Sequence, residues 1–266
     1  MVMSIYLAML RYVLNMKQFI RKILQTFNYD IIKKNQLVKL PDDFEDLHKS
    51  IYSHVKSNTM TSPERIYSLI EAVKYVENNG IAGEIVECGV WKGGSMMAVA
   101  QTLLHLKKSY RQLYLYDTYE GMSEPTEYDK TFYGEKAATL LQKDSNKEKN
   151  LVWAYSALDT VKSGMKSTGY PSENIHYIKG KVEDSIPATI PQKISILRLD
   201  TDWYESTKHE LEHLFPLLTV GGVLILDDYG HWAGARKAVD EYFALQKTRI
   251  LLTRIDETGR IGVKLQ

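Results

Sequence analysis

Five short apolar runs constrain this chain more than any other feature. They lie at residues 84–90, 112–116, 175–178, 194–199 and 223–226, and stretches of helical periodicity separate them. Strands alternating with helices predict parallel β-α units and a sheet covered on both faces. The closing segment differs. Residues 249–255, a turn at Asp256-Glu257-Thr258-Gly259 and residues 260–265 read as a β-hairpin. Five β-α units followed by a hairpin predict an open seven-stranded sheet, mostly parallel, with one reversed edge strand.

The helices carry their own signals. Thr61 or Ser62 caps one, with Pro63 at its first position, Glu64 in its first turn and Gly80 at its end. Ile66, Leu69, Ile70 and Val73 repeat along it at helical spacing. Gly93-Gly94-Ser95 leads into a second, and others are expected at 134–142, 153–168, 204–218 and about 233–245. Residues 119–132, rich in Gly, Pro and acids, read as an excursion over the sheet. Residues 1–60 read as a helical, irregular extension and 61–266 as one α/β domain.

Composition removes several classes. A net charge of +1 over 266 residues gives no electrostatic footprint for nucleic acid. The single cysteine, Cys88, excludes an intrachain disulfide framework and fits a reducing, cytoplasmic setting. Within Ile85-Val86-Glu87-Cys88 it reads as a buried small hydrophobe. Residues 1–27 hold Arg11, Lys17, Arg21 and Lys22, no acid, and many apolar side chains. The apolar stretch is too short to span a bilayer, and no small-residue cleavage site follows it. It reads as a lid or a subunit interface, which makes a homo-oligomer the expectation. Peripheral membrane contact is the alternative.

Acids stand at the ends of the strand runs. Asp200 closes Leu197-Arg198-Leu199-Asp200-Thr201-Asp202, and the pair Asp227-Asp228 closes Leu224-Ile225-Leu226-Asp227-Asp228-Tyr229. In a parallel sheet the carboxyl ends of adjacent strands open onto one crevice. Three carboxylates meeting there stay ionised only with a positive partner, and hard oxygen donors suit Mg²⁺, Ca²⁺ or Mn²⁺. The plainer reading is that these aspartates cap the helices that follow.

A second constellation points to a nucleoside. Glu87-Cys88-Gly89-Val90-Trp91-Lys92-Gly93-Gly94-Ser95 lies where the first strand turns into a helix, and its glycines permit close ligand approach. Asp117 ends the second strand, where an acid binds ribose hydroxyls, and Val182-Glu183-Asp184 follows the third. G-x-x-x-x-G-K-[ST] and G-x-G-x-x-G are both absent, which argues against a nucleoside triphosphatase and a nicotinamide oxidoreductase. Glu87 in the first turn suits a cationic amino-acid moiety rather than a pyrophosphate. S-adenosylmethionine has that character.

Four motifs carry a family resemblance. Glu87-x-Gly89-Val90-x-x-Gly93, Asp117-Thr118-Tyr119-Glu120-Gly121-Met122, Leu197 through Thr207, and Gly221-Gly222-x-x-x-x-Asp227-Asp228-Tyr229 resemble the macrocin O-methyltransferase family (TylF/MycF-like). The resemblance implies a class I methyltransferase, Rossmann-like fold and S-adenosylmethionine- and Mg²⁺-dependent methylation of a sugar hydroxyl. It implies that Glu87 and Gly89 line the methionine end of the cofactor, with Ser95 at the close of the same turn. Asp117 would hold the ribose, Val182 and Glu183 would lie by the adenine, and Met60 and Thr61 would close over it. Asp200, Asp227 and Asp228 would hold the metal. Thr201 departs from the small residue expected between Asp200 and Asp202.

The chemistry implied is activation of a hydroxyl by a bound dication, with Asp200 touching cofactor, metal and acceptor and serving as general base. His231 is a second candidate for proton transfer, or a grip on the acceptor. Asp202 reads as a cap for the helix at 204 or as a further ligand. The acceptor is a sugar or glycosylated small molecule. A catechol-type acceptor, or a non-catalytic nucleoside-binding module of a membrane-associated glycan assembly, are the alternatives.

Overall fold

The central strands bury side chains on both faces, and that requirement sets the layers. The structure is a computed structural model describing residues 40–143, 146–246 and 250–266, together with Met16, Ile20 and Leu24. The chain divides into two compact units, Met1–Asp42 and Asp43–Gln266. The readings of residues 1–27 as lid, interface or membrane-surface helix lie outside the described residues, apart from those three helical positions. Among the described residues no helix is long and apolar enough to cross a membrane.

The second unit contains the sheet. Its strands are β1 Glu84–Cys88, β2 Leu113–Asp117, β3 Ile175–Lys179, β4 Ile194–Leu199, β5 Leu218–Leu226, β6 Thr253–Arg254 and β7 Arg260–Val263. The order is β3-β2-β1-β4-β5-β7-β6. β1 to β5 pair in parallel, and β7 pairs antiparallel with both β5 and β6. The seven-stranded, mostly parallel sheet expected from sequence is present. The reversed strand β7 is enclosed between β5 and β6 rather than lying at the edge.

The helices are α1 Asp46–Val55, α2 Pro63–Asn78, α3 Gly94–His105, α4 Ala137–Gln142, α5 Leu158–Ser167, α6 Val182–Ser185, α7 Tyr204–Leu214 and α8 Ala233–Leu245. Strand alternation divides the core between the two faces. Ile85, Leu113, Leu115, Ile196, Val223 and Ile225 pack against α1, α2, α3 and α5. Val86, Cys88, Tyr116, Leu197, Leu199, Leu224 and Leu226 pack against α7 and α8. Cys88 is buried among them, as its apolar neighbours suggested.

Boundaries move where backbone chemistry overrides the apolar pattern. β1 ends at Cys88 because Gly89 adopts φ +80° and turns the chain. A Cβ there would lie 1.9 Å from the Asp200 carbonyl oxygen. The helix expected at 153–168 is a 3₁₀ turn, Leu151–Trp153, then α5, with Ala154 at φ 43° between them. α7 stops at Leu214, since Pro216 cannot continue it, and a 3₁₀ turn Phe215–Leu217 leads into β5.

The acid-rich excursion is anchored by one buried side chain. Asp129, 1% exposed, accepts the Tyr204 N–H at the start of α7 (2.8 Å) and the N–H and hydroxyl of Thr126 (2.6 and 2.9 Å). Replacing it leaves those donors unpaired at a helix start. Asp129→Ala is expected to lower the free energy of unfolding by about 2 kcal/mol, read from urea denaturation midpoints at unchanged m-value.

Candidate active site

Strand order reverses between β1 and β4, so the crevice at their carboxyl ends is the natural ligand position. Two adjoining clefts open there, of about 700 and 1000 Å³. The first is lined by Gly89, Asp117, Gly180, Val182, Glu183 and Thr201. The second is lined by Thr61, Arg65, Ser95, Asp228, His231 and Trp232. Met60, Trp91, Ala154, Asp200 and Asp202 border both. Most of the residues singled out in sequence therefore meet here. Ser95 faces the second cleft rather than the first. Glu87 lies beneath the surface and lines neither.

Asp117 does structural work at the first cleft. Its Oδ2 accepts the Val90 and Trp91 N–H groups (2.7 and 3.0 Å), and its Oδ1 accepts the Tyr119 N–H (2.7 Å). One carboxylate thus fixes the turn after β1 to the turn after β2. Burial raises its pKa against these hydrogen bonds.

Arg198 organises the charges between the clefts. It is 3% exposed, one residue before the carboxyl end of β4. Its Nη1 donates to Glu87 Oε1 (2.5 Å) and Asp200 Oδ2 (2.7 Å), and its Nη2 donates to Asp227 Oδ1 (2.5 Å). The other Asp227 oxygen accepts from Arg65, whose Nε reaches Asp256 Oδ2 at 2.7 Å. Burial pushes the Glu87 carboxyl up to about 7, with Arg198 opposing the shift.

Asp200, Asp202 and Asp228 form the cluster that faces both clefts. One oxygen from each lies within 4.8 Å of the others. Asp228 Oδ2 is buried and has no hydrogen-bond partner. Burial, reinforced by the neighbouring carboxylates, raises Asp200 and Asp228 well above the usual range and Asp202 to about 7. The sequence reading grouped Asp200 with Asp227 and Asp228. The structure brings Asp200 and Asp228 together, turns Asp227 toward the two guanidiniums, and adds Asp202.

His231 lines the second cleft and stands edge-on to Trp232, with ring centroids 4.9 Å apart. Burial, then the nearby Arg65 charge, lowers its pKa. Sequence reasoning gave no role to Arg65 or Arg198. A lone arginine inside Leu197-Arg198-Leu199 was the available signal, since a buried guanidinium demands carboxylates.

Comparison with known proteins decides what this arrangement belongs to. Residues 4–262 match the family model described as macrocin-O-methyltransferase (TylF). The chain belongs to that family. It is an O-methyltransferase, as the motifs suggested. It is 30% identical over 203 residues to a Streptomyces olivaceus enzyme named 8-demethyl-8-(2,3-dimethoxy-alpha-L-rhamnosyl)-tetracenomycin-C 4'-O-methyltransferase, covering 76% of this chain and 74% of that one. It is 27% identical over the same length to the mycinamicin III 3''-O-methyltransferase of Micromonospora griseorubida, covering 76% and 77%. Among solved structures, the O-methyltransferase NovP matches with a TM-score of 0.69 at 27% identity, over 79% of this chain and 83% of that one.

Within this methyltransferase, Asp256 ties the hairpin to the site. Burial opposes ionisation, but hydrogen bonds from Ser62 Oγ, the Gly259 N–H and Arg65 outweigh it and hold the carboxyl at about 2. A depressed pKa stabilises the fold above the ordinary carboxylate range, and that stabilisation is lost as pH falls through the folded value. The stability difference between wild type and Asp256→Asn is therefore expected to be full near neutrality and to shrink between about pH 4 and 2. Urea denaturation across that range measures it.

Proposed function

We propose that this enzyme transfers the methyl group of S-adenosylmethionine to a hydroxyl of a sugar on a small-molecule acceptor, with a divalent cation, Mg²⁺, at the carboxylate cluster. The observation that carries this reading is the convergence of Asp200, Asp202 and Asp228 on the boundary of two clefts, with one buried Asp228 oxygen unpartnered.

The first cleft suits the cofactor. Gly89 leaves room for close approach, Asp117 and Glu183 offer oxygen acceptors to a ribose and an adenine, and the acids around Glu87 favour a cationic methionine end. The second cleft suits the acceptor. Trp91, Trp232, Met60, Leu151 and Val152 give it flat apolar faces, and Asp228 and His231 give it polar ones. One relative is named for methylating a rhamnosyl-bearing compound, which supports a sugar hydroxyl here.

The residues fit a dication. Six acids, Glu87, Asp200, Asp202, Asp227, Asp228 and Asp256, gather around two guanidiniums, Arg65 and Arg198. Both Asp227 oxygens are engaged by arginine, so we assign Asp200 and Asp228 to the ion and Asp227 to holding the arginines in place. A bound dication lowers the pKa of an adjacent hydroxyl. Asp202 borders both clefts and lies beside the two carboxylates assigned to the ion, so it is placed to receive the hydroxyl proton. His231, kept neutral by its lowered pKa, donates or accepts a hydrogen bond at the acceptor side. The two clefts hold donor and acceptor across one narrow boundary, so proximity supplies much of the rate.

The first experiment combines binding and turnover. S-adenosylhomocysteine should bind by calorimetry, and labelled S-adenosylmethionine should methylate members of a panel of glycosides only without chelator. Asp202→Asn should leave cofactor-product binding intact and lower kcat by about 10²–10⁴-fold. Asp228→Asn should raise the Mg²⁺ concentration needed for half-maximal rate. Turnover indifferent to chelator and to Asp228→Asn would remove the ion from this reading, and failure to bind S-adenosylhomocysteine would remove the whole of it. For residues 1–27 we propose a lid or subunit-contact role, supported by their apolar and basic composition. Sedimentation of the full chain against a deletion of that segment tests it.

A further inference from the structure

Positive charge gathers beside the second cleft without a matching set of acids. Arg254 and Arg260 are direct cross-strand partners in the β6–β7 hairpin. Such partners stand on one face with Cβ atoms about 5 Å apart, and like charges there are destabilising. Arg236 adds a third guanidinium. It lies over the rings of Tyr229 and Phe132 (5.4 and 5.6 Å), while Arg260 lies over Tyr229 at 5.1 Å. Tyr229 is thus flanked by two arginines.

Two of the nearby acids are engaged elsewhere, and the exposed Glu257 in the hairpin turn forms no ion pair among the described residues. Asp256 is held by Ser62 and Arg65, and Asp240 accepts from the Tyr229 hydroxyl (2.7 Å) and pairs with Arg236 only at 3.4 Å. Among the described residues no ion pair joins Arg254 or Arg260 to a carboxylate. Burial, then Arg254, and also Arg236, hold the Arg260 guanidinium below the ordinary arginine range. The chain as a whole is nearly neutral, so this is local concentration rather than bulk excess.

The cluster abuts the acceptor wall. Arg260 Nη1 donates to the Thr258 and Gly259 carbonyls (3.3 and 2.8 Å), and Thr258 lines the second cleft. Gly230, next to Tyr229, donates to the same Thr258 carbonyl at 2.8 Å. Phe132 donates its N–H to the carbonyl of His231, another lining residue, at 3.3 Å. A second like-charged cross-strand pair, Lys130 and Lys136, lies on that same loop. The Arg254–Arg260 repulsion, with Arg236 sharing the Tyr229 ring, calls for an anion. Guanidinium forks fixed by aromatic faces match phosphate oxygens in shape and charge.

We propose that Arg236, Arg254 and Arg260 bind a phosphate or diphosphate group on the acceptor, so that the sugar to be methylated enters the second cleft as a phosphorylated or nucleotide-linked sugar. This deepens the sugar O-methyltransferase reading and rests on it for the identity of the second cleft. The Arg254–Arg260 repulsion is a cost to the fold that the acceptor removes on binding.

The test uses the full chain in chelator-containing buffer, with inorganic pyrophosphate and glucuronate as probes in calorimetry. Pyrophosphate should bind and glucuronate should not, and Arg254→Gln and Arg236→Gln should each weaken pyrophosphate about tenfold. Arg254→Gln should also leave the thermal midpoint unchanged or raise it, because it relieves like-charge repulsion. In turnover, the wild-type preference in kcat/KM for a nucleoside-diphosphate-linked sugar over the methyl glycoside of that sugar should fall about tenfold in Arg254→Gln. Absence of pyrophosphate binding, equal binding by the variants, or glucuronate binding as well as pyrophosphate overturns the proposal. Intact S-adenosylhomocysteine binding and methyl transfer to neutral glycosides would then show that only this inference had failed. Loss of those two would instead sink the methyltransferase reading.

Discussion

One buried guanidinium sets the terms for the rest of the site. Arg198 stands in a strand whose every residue is buried, and a charge there must be met by carboxylates. It draws in Glu87 from β1, Asp200 from the end of its own strand and Asp227 from the end of β5. Arg65 extends the chain of charge from Asp227 to Asp256 and Thr258, so α2 and the closing hairpin are fastened to the same centre. Such a network contributes little net stability, since desolvation offsets much of its attraction. Its consequence is specificity of arrangement. Removing any one partner leaves the others buried and uncompensated, so the three strands keep their relative positions.

The fold was legible because its signals are local and repeated. Strands buried on both faces read as continuous apolar runs, and Ser62 and Pro63 mark the start of α2 as their chemistry predicts. The carboxylate cluster was legible only in part. Asp227 and Asp228 lie just past the end of β5, and the two adjacent acids serve different centres. Asp227 meets the arginines and Asp228 joins Asp200 and Asp202, while both line the second cleft. Nothing in the sequence announces that Asp202 takes φ 67°, the conformation that returns its carboxyl to the cluster. Had Arg198 been treated as a charge requiring partners, the division between the two aspartates would have been open to inference.

Thr201, the residue that departs from the small one expected, has a partner of its own. Its hydroxyl donates to Glu210 Oε2 at 3.2 Å, and Glu210 is fully buried with its other carboxyl oxygen unpartnered. Burial raises the Glu210 pKa well above the carboxylate range, which favours a neutral acid over a lone buried charge. Thr201 lines the first cleft without closing the carboxylate cluster, and Glu210 occupies the position behind it. The larger side chain is thus absorbed on the α7 side of the turn. Asp200, Asp202 and Asp228 still bring one oxygen each within 4.8 Å of the others.

Backbone strain is concentrated at the carboxyl ends of three strands. Trp91 (φ 48°) follows β1, Tyr119 (φ 53°) follows β2, and Asp202 (φ 67°) follows β4. Each left-handed residue of this kind costs on the order of 1–3 kcal/mol, and it persists only where its surroundings over-determine it. Here they do. Asp117 holds the amides of both Trp91 and Tyr119, and the Tyr119 hydroxyl returns to the Leu115 carbonyl at 3.0 Å. Asp202 sits between Thr201, fastened to Glu210, and Trp203, whose ring is buried and whose Nε1 donates to the Ser123 carbonyl. A relaxed loop at these positions would leave the carboxylates to sample many geometries. Sharp turns hold them in one, so reorganisation is completed during folding instead of being required at each turnover.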